Sequence, residues 1–122
     1  YFEQLKRKVS PDLVFTHYRD DLHQDHRVIN QFTWNTFRSQ CILEYEIPKY
    51  DGDMGIPNFF VSLPDLLAKR KAAYIVQGFP SQRGKQWFSS DTFLALLRLR
   101  GIEANGSGRY AEAFYSRKWV VG

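Results

Sequence analysis

Ten consecutive residues carry most of the chemistry this sequence offers: His17-Tyr18-Arg19-Asp20-Asp21-Leu22-His23-Gln24-Asp25-His26. The chain has 3 histidines and all of them lie here, beside three of its aspartates. His23 and His26 are three residues apart, so at a loop-to-helix junction both rings can reach one small volume. A neutral imidazole nitrogen is a good zinc ligand, and Asp or Glu can complete such a site. Asp25 can accept the second N–H of a histidine, which fixes its tautomer and raises its basicity. One histidine would then bind metal while the other serves as general acid or electrostatic stabiliser. The same residues also fit a plainer reading. Asp25 would be a helix N-cap, Asp20 and Asp21 turn formers, and His23 and His26 half-exposed residues at a helix end. A catalytic zinc normally takes three protein ligands, and the spacing shows no evident third.

The elements around this segment follow from pattern. Phe2 and Leu5 suit a helix that Ser10-Pro11 stops. Asp12 to His17 is a short apolar run bounded by turn formers, which predicts a buried strand. Ile29, Phe32, Thr33, Thr36 and Phe37 fall on one helical face, predicting a helix from Asp25 to Arg38. Cys41 to Ile47 is the second expected strand, closed by Pro48, and Asn58 to Leu63 a third. Ser62 is expected to cap a helix with Pro64 at an early position, carrying Leu66, Leu67, Ala68, Ala72, Ala73, Ile75 and Val76 and ending at Gly78. Phe79 to Ser89 reads as a loop. Ser90 is expected to cap a helix over Asp91 to Arg100, with Phe93, Leu96 and Leu97 inward and Gly101 as its stop. After a polar turn at residues 104–109, Tyr110 to Val121 reads as extended chain at a sheet edge. Strands alternating with helices predict an α/β fold with a mostly parallel sheet. In such sheets ligands bind outside the carboxyl ends of the strands, which is where the histidine-rich segment begins.

Composition narrows the class. Of 122 residues, 43% are hydrophobic and 25% charged, a globular mixture that excludes disorder. No apolar run approaches the roughly 20 residues that span a bilayer, and Tyr1 to Lys8 is mixed and charged, unlike a secretory signal. The net charge is +4. The cations at Lys6 to Lys8, Lys69 to Lys71, Arg98 and Arg100 are scattered rather than gathered on one stripe, so no nucleic-acid partner is expected. A single Cys41 rules out an internal disulfide and suggests a reducing, cytoplasmic setting. Asp51-Gly52-Asp53 lacks the spacing of a calcium loop, since position 12 counted from Asp51 is Ser62, and reads as a solvated turn. Of the tryptophans, Trp34 and Trp119 suit a core or interface, and Trp87, in a basic polar loop, is the exception.

Pro11-Asp12-Leu13-Val14-Phe15-Thr16-His17 followed by His23-Gln24-Asp25-His26-Arg27 resembles the second half of the PIG-L/LmbE-like deacetylases. Glu44 to Pro48, Lys69 to Ala72, Ser81-Gln82 and Tyr110-Ala111-Glu112-Ala113-Phe114 come in that family's order. The resemblance implies a Rossmann-like fold with flanking helices, residues 1–122 being the C-terminal part of a single deacetylase domain. It implies zinc-dependent removal of an acetyl group from an N-acetylglucosamine-type sugar or sugar conjugate. His26 maps to a zinc ligand and His23 to the residue that stabilises the tetrahedral intermediate and protonates the leaving amine. Asp25 maps to the residue orienting His23. Asp21, Tyr110 and Glu112 are candidate substrate contacts. The family's N-terminal His-Pro-Asp-Asp element, source of two further zinc ligands and the general base, has no match here. The chain by itself is therefore expected to be inactive, and an uncovered sheet face is expected to favour homo-oligomers. The alternative is a non-catalytic interaction module derived from this fold, which the intact His23, Asp25 and His26 argue against.

Overall fold

The computed structural model describes residues 1–121. In chain order the elements are α1 (Phe2–Lys8), β1 (Leu13–His17), α2 (Gln24–Phe37), β2 (Cys41–Tyr45), β3 (Phe59–Leu63), α3 (Asp65–Gly78), α4 (Ser90–Ala104) and β4 (Tyr110–Ser116), with a 3₁₀ turn at Pro80–Gln82. The strands form one four-stranded sheet in the order β1-β2-β4-β3. β1 and β2 are parallel, with His17 opposite Tyr45, whereas β4 runs antiparallel to β2, with Phe114 opposite Tyr45. The fold is α/β, but its sheet is mixed rather than mostly parallel. β4 follows α4 and a tight turn, and enters between β2 and β3. It is thus an interior strand, not the expected edge, and Tyr110, Ala111, Ala113, Phe114 and Tyr115 are buried along it.

The chain divides into two compact units. The first comprises Tyr1–Ile47, Asp53–Phe59 and the chain from Phe114 onward. Its core is Trp34, Phe37 and Ile42, with Phe2, Leu5 and Val14 packed against them. α2 connects the parallel strands β1 and β2, and its buried face is Asn30, Thr33, Trp34, Thr36 and Phe37. Ile29 and Phe32, expected inward, are 39% and 51% exposed. The shift has a polar cause. Asn30 Nδ2 donates to the His17 carbonyl at 2.6 Å, and Thr16 Oγ1 donates to Thr33 Oγ1 at 3.0 Å. Buried polar groups are tolerated when they are bonded in this way. The helix therefore turns its amide and hydroxyl toward the end of β1, and Phe32 stacks on Phe2 instead.

The second unit, Pro48–Gly52 and Phe60–Ala113, holds α3 and α4. Two clusters fill it: Ala68, Leu97 and Tyr110, and Ala72, Phe88 and Phe93. The caps differ from expectation. Pro64 itself is the N-cap of α3, with Ser62 in β3, and Ser89 rather than Ser90 precedes α4. α4 also runs through Gly101 to Ala104 and is closed by Asn105 in the left-handed region (φ 48). Gly101 has a packing role instead of stopping the helix. A Cβ there would lie 2.2 Å from the Arg109 carbonyl oxygen, so only glycine admits the returning chain. Among the described residues, no helix is long and apolar enough to cross a membrane.

Gly101→Ala is expected to lower urea-unfolding stability by about 1–3 kcal/mol through this clash. That loss should appear despite the ~1 kcal/mol alanine normally gains over glycine inside a helix.

Candidate metal centre

β1 delivers His17 to the carboxyl end of the parallel pair, and α2 starts seven residues later at Gln24. The connecting loop is pinned along its length. Tyr18 N donates to the Tyr45 carbonyl at 3.1 Å and extends the ladder by one residue. Arg19 N donates to the buried Glu44 Oε2 at 2.9 Å. Asp21 N closes a turn onto the Tyr18 carbonyl at 3.2 Å. Arg27 Nη1 reaches back to the carbonyls of Leu22 (2.6 Å) and Asp21 (3.1 Å). Leu22 N donates to Asp53 Oδ2 at 2.6 Å, so Asp53 is a loop tie rather than a freely solvated turn residue.

Asp21 sits at the centre, only 2% exposed. Its Oδ1 accepts from His23 N at 2.8 Å, and its Oδ2 accepts from His26 Nδ1 at 2.9 Å. The second bond places the His26 proton on Nδ1 and the lone pair on Nε2, as a carboxylate partner does for a metal-binding histidine. The His26 ring stacks on His17 with centroids 3.9 Å apart and planes 5° from parallel. It also contacts the His23 ring at 4.4 Å. Donor atoms of His17, Asp21 and His26 lie within 4.8 Å of one another. Two imidazoles, one of them backed by a carboxylate, are chemistry that suits zinc or another borderline divalent ion, with Asp21 as the partner of His26. The lone pairs of two rings stacked 5° from parallel lie in separate planes, so the trio is gathered rather than closed, and one ring must turn for both to share an ion. Tyr45 lies alongside, its hydroxyl 3.2 Å from His17 Nε2. Burial first, and then the Asp21 charge, pushes the Tyr45 phenol above its ordinary range and keeps it protonated.

The residues singled out in the sequence divide into two groups. His26 joins the donor trio, and His23 stands exposed beside it as the N-cap of α2. The contact between His23 and Asp25 is made by the Asp25 backbone, whose N–H donates to His23 Nδ1 at 3.3 Å. Asp21, singled out as a substrate contact, is buried under His26, with Oδ1 on His23 N and Oδ2 on His26 Nδ1. Tyr110 and Glu112 belong to the second unit. Tyr110 is 8% exposed and packs on Ala68 and Leu97, so it is core and does not face a ligand. Glu112 is ion-paired with Lys71 and lines a shallow apolar groove with Leu67 and Tyr74. Trp34 is buried, Trp119 stacks on Phe59, and Trp87 packs edge-on against Tyr50 and Phe88. The third donor missing from the spacing is His17, with Asp21. The available signal was position: His17 is the last residue of a strand whose carboxyl end faces the His23–His26 turn.

No protein-family model and no curated protein matches the chain. Among solved structures its fold is similar to the crystal structure of GalB, the 4-carboxy-2-hydroxymuconate hydratase from Pseudomonas putida KT2440, with a TM-score of 0.73 at 16% sequence identity. The likeness covers 99% of this chain, which spans 58% of the length of the hydratase.

His26→Ala is expected to abolish stoichiometric zinc binding in calorimetric titration. Asp21→Asn is expected to weaken it about 10–100-fold, the usual cost of losing a carboxylate behind a ligating histidine. Unchanged binding in His26→Ala would remove the trio as a metal centre.

Proposed function

We propose that the chain carries the metal-binding part of a zinc-dependent hydrolase that removes an acetyl group from an N-acetylated sugar or glycoconjugate, as in the PIG-L/LmbE-like deacetylases it resembles in sequence. The observation that supports this most is the gathering of His17, Asp21 and His26 at the carboxyl end of a parallel β-α-β unit, with the exposed His23 against them. That unit is the part of the mixed sheet compatible with a Rossmann-like arrangement. When bound, a divalent ion supplies a Lewis acid that activates water and polarises the acetamide carbonyl. The chain's own residues do the rest. Asp21 orients His26 through Nδ1 and leaves Nε2 for the ion. His23 accepts at Nδ1, so its proton is held at Nε2 on an exposed ring, available to a developing oxyanion and a departing amine.

A second reading, addition of water to a carbon–carbon double bond, draws on the fold likeness to the hydratase. Both reactions need activated water, and they differ in the electrophile placed beside it.

In the protein's full natural length, zinc-loaded enzyme is expected to release acetate and free amine in equal amounts from N-acetylglucosamine conjugates. His23→Ala should lower kcat about 10²-fold or more while zinc titration stays unchanged. A zinc-loaded protein that releases no acetate and hydrates 4-carboxy-2-hydroxymuconate would replace the first reading with the second.

A further inference from the structure

The net charge of the chain is not shared between its two units. The second unit holds nine Lys or Arg against five Asp or Glu, whereas the first balances eight with eight. The whole +4 therefore belongs to the unit that contains α3 and α4. The densest basic run within it is Lys69-Arg70-Lys71 on α3, whose one acid, Asp65, stands in the first turn.

α3 presents apolar residues on two sides. Ala68 and Ala72 are buried, and Ala68 clusters with Leu97 of α4. On the far side Leu66, Leu67 and Tyr74 are 66%, 45% and 64% exposed. At about 100° per residue, Leu66, Arg70, Tyr74 and Leu67 share an outward face roughly 100° wide, with Lys69 and Lys71 flanking it on either side. Lys71 is ion-paired with Glu112, so the exposed Lys69 and Arg70 carry the excess charge. The face continues into the groove lined by Leu63, Leu67, Tyr74 and Ile75. Single exposed apolar side chains are ordinary, but a contiguous row above a groove marks a contact surface.

We propose that this face of α3 docks on an anionic lipid surface. An amphipathic helix lies in such an interface with its apolar side at the boundary of headgroups and acyl chains and its cations at the phosphates. Lys69 and Arg70 reach that level along their own methylene stems, and a tyrosine suits it because its ring is apolar and its hydroxyl stays wet. The cations alone would also suit a nucleic acid, but the two leucines have no part in contacts to a phosphate backbone. A lipid surface uses both. The contact is peripheral, since among the described residues no helix can cross a membrane. It is independent of the metal centre and of the reaction proposed for it.

Co-sedimentation of the protein at its full natural length with lipid vesicles tests this. Binding is expected to equimolar phosphatidylcholine–phosphatidylglycerol vesicles and not to phosphatidylcholine alone. Lys69→Gln with Arg70→Gln should weaken it about 30-fold, from roughly fivefold for each cation near an anionic surface. Leu66→Ser with Leu67→Ser should weaken it at least about tenfold, with thermal unfolding unchanged because both positions are exposed. Wild-type protein that does not sediment with the anionic vesicles would overturn the proposal, as would native binding in either double variant. Binding of poly-uridine RNA in place of vesicles, indifferent to the leucine substitutions, would overturn it in favour of a nucleic acid. A dimer that the leucine substitutions dissociate, without vesicle binding, would overturn it in favour of a second copy of the chain.

Discussion

A fully buried carboxylate holds the first unit in register. Glu44, the penultimate residue of β2 at 0% exposure, accepts from Trp34 Nε1 at 2.7 Å and from Arg19 N at 2.9 Å. The Arg19 guanidinium stands 3.5 Å from it, and that of Arg117 3.9 Å away, where it also covers the Trp34 ring. Burying a charge is costly, and the surrounding donors offset that cost more than they add net stability. What they give is placement. Glu44 ties α2 to β2 through Trp34 and fixes the point where the loop leaves β1 through the Arg19 amide. Asp21 lies two residues beyond that anchored point, and its carboxylate meets His26. Truncating Glu44 would leave an indole N–H and an amide buried without their acceptor, which costs more than the bonds themselves return.

The donor trio is held in the same way: Asp21 bonds His26 Nδ1 and the Tyr45 hydroxyl bonds His17 Nε2, while the Asp25 amide bonds His23 Nδ1 beside them. Arg27 and Asp53 clamp the loop carbonyl and amide from two directions. Side chains on which a reaction depends are held most accurately when their own partners are locked, because a small misplacement is expensive in rate. Here the restraint comes from polar bonds to backbone and side chains together with ring stacking of His17 on His26 and against Tyr45.

Much of this was visible in the sequence. β1 and the start of α2 were legible because a short apolar run, bounded by turn formers, is followed by a helical repeat, but the strand is not the buried one expected: Leu13 and Phe15 are 42% and 53% exposed. The histidine-rich segment stood out by residue type. The inward face of α2 was not legible from hydrophobicity, since Asn30 and Thr33 are turned inward by partners on β1 that only the fold supplies. Gly101 looked like a helix stop because close approach of a distant backbone leaves no trace in local sequence. β4 looked like an edge because its neighbours are distant in the chain. His17 and Asp21 became ligand candidates only once the strand end and the loop turn were seen to converge. Tyr110 shows the reverse error, a polar-tipped ring read as a ligand contact when its body belongs to the core.

The parallel β1-α2-β2 unit has a consequence for the order of assembly. His17, Asp21, His26 and Tyr45 all come from one contiguous stretch of chain, whereas β4 must close a long loop, as in the Tyr115–Glu46 hydrogen bond between residues 69 apart. Loop-closure entropy makes such long-range pairings slow relative to local contacts. The donor set can thus form before the sheet is complete. An ion captured at that stage would add its binding free energy to a folding intermediate, and its supply would then govern how quickly the chain folds.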